Sequence, residues 1–325
     1  MVLKPNLEYW KISLENPEPL IDDYYLFDKV IVEDQELIKK IERLRELIIS
    51  YCIVVEKDKI VSEKILDEIY TIITSINKIQ YTEFIAFWKV LDISFSIFSS
   101  LSQNEQKDIL AEILKRYCIK RRKLYDKLGY SNITVQALYD SGVSRKKGIT
   151  GIAKVIDMVS NIFDVKDKNI HLKAIEELIN TNFGYFLPDK SDKQLFKEFC
   201  RYYKVVYQFS KDHQEKYPDI VLKINDHFFI IEAKHIKETG GAQDKQIVEI
   251  IEFIKYSEKS ESIHYVVFLD GIYFNNFINP KNSKIENKIK RQKEDIEKYL
   301  KENPNNYFVN TAGLKELFRD LKRKI

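Results

Sequence analysis

The sequence predicts an α/β protein: a mixed central sheet flanked by helices over residues 169–325, preceded by an α-helical N-terminal region over residues 1–168. Three observations carry this. Apolar residues recur every three or four positions through the first third of the chain, the period of helices buried on one side. From Asp219 to Lys234 the pattern switches to alternation about an Asn225-Asp226 turn, as in a β-hairpin. Further on, the run His264–Leu269 is apolar without alternation, as in a strand covered on both faces.

The elements follow in order. Residues 1–29 show no clear period and read as an irregular segment. Asp34 caps a helix whose stripe is Leu37, Ile38, Ile41, Leu44, Leu47 and Ile48. A second helix aligns Val61, Ile65, Leu66, Ile69, Ile72, Ile73 and Ile76, and a third spans the aromatic-rich stretch from Thr82 to Ser99. Ser102 and Glu105 form a capping box for a fourth. Short helices are expected at 121–128, 134–139 and 150–159, punctuated by Gly129 and Ser141-Gly142. After a polar stretch ending at Asn169 come helices at 172–178 and 192–203, a strand at 205–209 and the hairpin. A helix at 242–257, the strand at 264–269, a long charged helix at 284–301, a strand at 307–310 and a closing helix at 314–324 complete the chain.

Composition sets the outer bounds. At 325 residues and 44% hydrophobic, the chain can bury a sizeable core in one or two domains. Cys52, Cys118 and Cys200 are odd in number and far apart, with no zinc-type spacing, so neither a disulfide framework nor a zinc site is expected and a reducing cytoplasm is the default. The opening `MVLKPNLEYW` has no apolar signal core, and the most apolar helix is too short to span a bilayer, so no membrane is expected. A net charge of +3 says little by itself. Its distribution says more, because ten basic residues face two acidic ones between Lys115 and Gly148, a local footprint suited to phosphates.

The candidate chemistry lies in `PDIVLKINDHFFIIEAKH`. Alternation puts Phe228, Ile230, Glu232 and Lys234 on one face of the second hairpin strand, so that face turns from apolar to ionic at its C-terminal end. Counting outward from the turn sets Asp219 beside Glu232 and Lys234. Two carboxylates, with the Ala233 carbonyl as a further oxygen, suit a hard cation such as Mg²⁺. The ammonium suits a phosphate or an attacking water. Side-chain acid–base catalysis supplies only about 10² to 10⁴, far short of what phosphodiester hydrolysis needs, so a metal is expected.

The Pro218-Asp219 pair, followed thirteen residues later by Glu232-Ala233-Lys234 and then a helix and a strand, resembles the PD-(D/E)xK nuclease superfamily, and its type II restriction endonucleases most of all. The resemblance covers about residues 192–268. It implies that Asp219 and Glu232 bind Mg²⁺, that Lys234 serves the water and the phosphate, and that double-stranded DNA is cut to 5′-phosphate and 3′-hydroxyl ends. A further acid from a preceding helix is common in the superfamily; Glu198 is the first choice and Glu177 the reserve. The same resemblance implies a twofold homodimer on a palindromic target and a cognate DNA methyltransferase as functional partner.

DNA-binding candidates come from two stretches. Arg121, Arg122, Arg145, Lys146 and Lys147 belong to the basic region, whose helix spacing is compatible with helix-turn-helix docking, and Lys147-Gly148 lead into a helix N-terminus suited to a phosphate. Gln243, Lys245 and Gln246 follow Gly240-Gly241 at the start of the next helix; Gln can pair with adenine and Lys with guanine or phosphate. Two rivals stay open: a structure-specific or non-specific repair nuclease, and a non-enzymatic DNA-binding protein built on the basic helices. The N-terminal helices themselves fit DNA binding, dimerisation or simple support of the catalytic half.

Overall fold

The computed structural model describes residues 3–25, 33–75, 82–91, 95–143, 147–165, 170–237, 241–280 and 283–323. The chain divides into two compact units, one formed by Met1–Leu26 with Lys147–Ile325 and the other by Phe27–Lys146. The divisions therefore fall near residues 26 and 146, where the sequence placed a single boundary at 168. Burial explains the difference. The first helix, α1 (Asn6–Glu15), sends Tyr9 and Trp10 into the two hydrophobic layers on either side of the sheet. With apolar side chains leaving in two directions it has no single stripe, which is why the period hides it.

The second unit is helical: α2 (Gln35–Val54), α3 (Lys59–Ser75), α4 (Glu83–Val90), α5 (Phe95–Ser100), α6 (Gln103–Tyr117), α7 (Lys123–Leu128) and α8 (Asn132–Val143). Asp34 caps α2 through the Leu37 N–H, and Ser102 and Glu105 form the reciprocal box at α6. Leu37, Ile41, Leu44 and Ile48 meet Ile69, Ile73, Phe84, Trp88, Leu110 and Leu114 in one core. The expected helix from 82 to 99 is two helices here, with α4 ending at Val90. Cys52 and Cys118 form a disulfide, with Cα atoms 5.5 Å apart, against the expectation of none. Their separation of 66 residues is bridged by helix packing, which local spacing does not reveal. Cys200 is free.

The other unit continues with α9 (Lys147–Ile162), α10 (Ile175–Asn180), β1 (Phe183–Phe186), α11 (Lys193–Tyr203), α12 (Gln208–Asp212), β2 (Ile220–Ile224), β3 (His227–His235), α13 (Gly241–Phe253), β4 (Ile263–Asp270), α14 (Ser283–Glu302), β5 (Tyr307–Val309) and α15 (Thr311–Lys322). The strands stand in the order β1-β2-β3-β4-β5. The first three are antiparallel, and β3, β4 and β5 are parallel. Residues of α11, α13 and α14 cover one face, with Phe228, Ile230, Tyr265 and Val267 beneath them. Residues of α9 and α15 cover the other, over Phe229, Ile231, Val266 and Phe268. Helices on both faces explain the unbroken apolar runs of β3 and β4.

One expected strand is absent. Residues 205–209 leave α11 and turn into α12, because Tyr207 is left-handed and the Glu258 carboxylate accepts the N–H groups of Val206 and Tyr207. Those donors are thereby withdrawn from any ladder. The edge strand is instead β1, where Gly184 leaves room for Leu172 to press against the backbone.

Candidate active site

The β2–β3 hairpin builds the site. Asn225, at φ 52°, makes the left-handed turn that a short connection needs, a conformation asparagine tolerates. The register then pairs Ile224 with His227 and Ile220 with Ile231, and one further step brings Asp219 opposite Glu232. Pro218 has no N–H to extend β2. The Ala233 N–H, left without a strand partner there, donates to Asp219 Oδ2 at 2.9 Å. The Ala233 carbonyl leaves the strand on the same edge as its N–H.

Asp219, Glu232 and Lys234 converge as the alternation requires. Lys234 Nζ lies 2.7 Å from Glu232 and 3.7 Å from Asp219. Two residues that the sequence did not single out complete the cluster. Lys216, in the loop before β2, sits 2.7 Å from Glu232 and also pairs with Glu249 of α13. Glu232 is 1% exposed, and its Oε2 is buried with no hydrogen-bond partner among the described residues. Burial first, and then the Glu232 charge, push the Asp219 carboxyl up to about 6. For Lys234 burial acts downward, but the charges of Glu232 and Asp219 outweigh it and hold the ammonium above its ordinary range. The site is thus a buried acidic pair short of positive charge, with an orphaned oxygen and a fixed cation beside it. Two carboxylates and a nearby carbonyl are the oxygen donors a hard divalent cation takes.

The other candidates fall in different places. Glu198 accepts from Gln194 on its own helix, and Glu177 from the Lys173 N–H; neither joins the cluster, whereas Glu249 does. Glu249 had no motif around it, only a place on a helix after the double glycine. Gln246 and Lys245 lie three and four residues before it, one turn away on the same side of α13; Lys245 and Gln246 are exposed and Gln243 half-buried. Arg121 and Arg122 belong to the helical unit, Arg121 against the Phe87 ring and Arg122 paired with Asp126. Arg145, Lys146 and Gly240 lie outside the described residues, and Lys147 is described only as the first residue of α9.

A second acidic cluster sits on the opposite face of the sheet. Glu18, Asp22 and Asp270 hold oxygens within 4.8 Å of one another, a grouping that could hold a metal ion. Every one of them is already engaged. Lys154 reaches Asp22 at 2.6 Å and Asp270 at 3.0 Å. Asp270 also accepts from Tyr25 and the Gly271 N–H and meets His235 Nδ1 at 3.1 Å. Glu18 accepts twice from Thr311. These partners hold Asp270 far below the usual carboxylate range despite its burial, while burial and Asp270 push Glu18 up to about 7. A cavity of about 920 Å³ opens beside Glu18 and Asp22, and His235 Nε2, on the ring that meets Asp270, is buried with no hydrogen-bond partner among the described residues. The cluster's N-terminal members, Glu18 and Asp22, come from the stretch without period, where no motif marks them.

The family model that matches is that of the Tsp45I type II restriction enzyme, over residues 30–304. The chain belongs to that family. No curated protein and no solved structure matches it. As a member of the Tsp45I family it is a type II restriction endonuclease, an enzyme whose substrate is DNA. The matched stretch contains Lys216, Asp219, Glu232, Lys234, Glu249 and Asp270. Among the described residues no helix is long and apolar enough to cross a membrane.

Proposed function

We propose that the protein hydrolyses double-stranded DNA at a specific sequence in a Mg²⁺-dependent reaction that leaves 5′-phosphate and 3′-hydroxyl ends, and that the PD-(D/E)xK-type cluster of Asp219, Glu232 and Lys234 carries the chemistry. The observation that carries this reading is the unpartnered, buried Glu232 Oε2 beside a second carboxylate and an ammonium. Leaving such an oxygen unpaired costs about 1–3 kcal/mol or more, a cost relieved when a cation binds. Asp219 and Glu232, with the Ala233 carbonyl, would hold that cation. When bound, Mg²⁺ supplies a positive charge that favours ionisation of water and offsets charge on the phosphate.

The chain's own residues do the rest. The charges of Glu232 and Asp219 hold the Lys234 ammonium above its ordinary range. That ammonium donates to a phosphate oxygen or to the attacking water and stabilises charge that develops there. The sheet fixes Lys234 and Glu232 two residues apart on one face, so their spacing is set before substrate arrives. Gln243, Lys245 and Gln246 lie where α13 can offer donors to DNA near that point. On a palindromic target two copies would act about a twofold axis.

Digestion of a sequenced plasmid in Mg²⁺ and in EDTA tests the reading. Discrete fragments in Mg²⁺ alone, lost in Glu232→Gln and Lys234→Met while both variants still retard DNA, support it. Smears, or cutting confined to branched substrates, would favour a repair-type nuclease. Cleavage by Glu232→Gln at the wild-type rate would remove Glu232 from the mechanism.

A further inference from the structure

We propose that Lys216 is the resident counter-ion of the acidic site and must leave Glu232 for a divalent cation to enter. The inference rests on the site assignment above and goes beyond it, because Lys216 is no part of the motif. Its ammonium lies 2.7 Å from Glu232 Oε1 and also pairs with Glu249, so it joins β3 to α13.

The two lysines on Glu232 differ in one decisive respect. Lys234 is part of β3, inside the sheet, and its backbone cannot withdraw. Lys216 stands on the loop between α12 and β2, 27% exposed, with a four-carbon stem that can swing to solvent. Its loop is shaped to aim it inward. Gln214 and Glu215 are successive non-glycine residues in the left-handed region, at φ 50° and 59°, and Glu215 N–H donates to Ser210 while Lys216 N–H donates to His213.

Charge counting points the same way. Asp219, Glu232 and Glu249 face Lys216 and Lys234, three carboxylates against two ammoniums. A divalent cation that joined both lysines would reverse the sign of the site, whereas exchange for Lys216 leaves three charges of each sign. Lys216 occupies Glu232 Oε1, while Oε2 of the same carboxylate is buried without a hydrogen-bond partner among the described residues, so a cation that took the place of Lys216 would meet a carboxylate with an oxygen still to satisfy. Lys216 thereby lets the protein keep Glu232 buried without a metal, at the expense of metal affinity.

The test is Mn²⁺ binding followed by electron paramagnetic resonance on the full chain without DNA. An opposite charge in contact biases a carboxylate by one to three pKa-equivalent steps, each about tenfold. Lys216→Gln should therefore bind Mn²⁺ at least about tenfold more tightly than wild type, and Lys216→Arg should bind as wild type does. Asp219→Asn should abolish binding in either background. Melting in EDTA checks that Lys216→Gln is folded. If it is not, the comparison is repeated in Glu249→Gln, where removing Lys216 leaves one fewer unpaired carboxylate; the added Lys216→Gln should again tighten binding. Equal or weaker Mn²⁺ binding on loss of Lys216, with dependence on Asp219 intact, overturns the placeholder role alone. Binding that ignores Asp219→Asn overturns the site assignment itself.

Discussion

Asp219→Asn should separate stability from activity in a pH-dependent way. Asp219 is 9% exposed and its carboxyl is pushed up to about 6, from an ordinary 3.8, by burial and by Glu232. The folded protein therefore binds this proton more tightly than the unfolded chain does. Stability falls as pH rises from about 4 to about 6, and the full penalty applies above that. Two units correspond to about 3 kcal/mol. The asparagine amide removes the charge, and its oxygen can still accept from the Ala233 N–H. In EDTA at pH 8, Asp219→Asn should therefore be more stable than wild type by up to about 3 kcal/mol, with the difference vanishing near pH 4. Urea denaturation at the two pH values measures it, and plasmid digestion in Mg²⁺ should show cleavage lost. A variant less stable than wild type at pH 8 would mean that the folded site favours the Asp219 charge, refuting the account of the site as short of positive charge.

Three further outcomes follow from particular contacts. Glu18→Gln should stabilise the protein by about 3 kcal/mol at pH 8 and not at pH 4, since Glu18 is pushed up to about 7 by burial and Asp270 and its penalty sets in as pH rises from about 4 to 7; thermal melting at both pH values checks it. Trp10→Ala should cost about 3–5 kcal/mol, because Trp10 is 2% exposed against Phe274, Phe277 and Phe308; a change below about 1 kcal/mol in urea midpoint analysis would deny α1 a structural role. Lys245→Ala should weaken DNA binding evenly across sequences and flatten its salt dependence, while Gln246→Ala should cost about 1–3 kcal/mol of discrimination at one base pair; filter binding at several salt concentrations distinguishes them.

The hairpin was legible because strand periodicity and turn chemistry are local. Asn225-Asp226 sets the register, and the register alone brings Asp219 to Glu232. What stayed hidden depends on partners distant in sequence. Lys216 and Glu249 are ordinary charged residues until a left-handed loop and a helix bring them to Glu232, 16 residues from Lys216. Glu18 and Asp270 are 252 positions apart in the numbering, and nothing near either signals the other. The β-branched and aromatic stretch 205–209 looked like a strand because strand preference reflects packing as much as backbone pairing. Glu258, about fifty residues away, takes the N–H groups that a ladder would need.

Anomalous diffraction from crystals soaked in Mn²⁺ measures the central claim most directly. A peak within coordination distance of both the Asp219 and Glu232 carboxylates, with the Lys216 side chain withdrawn, is the expected result. A peak confined to Glu18, Asp22 and Asp270, with Asp219 and Glu232 still bridged by lysine, would contradict it.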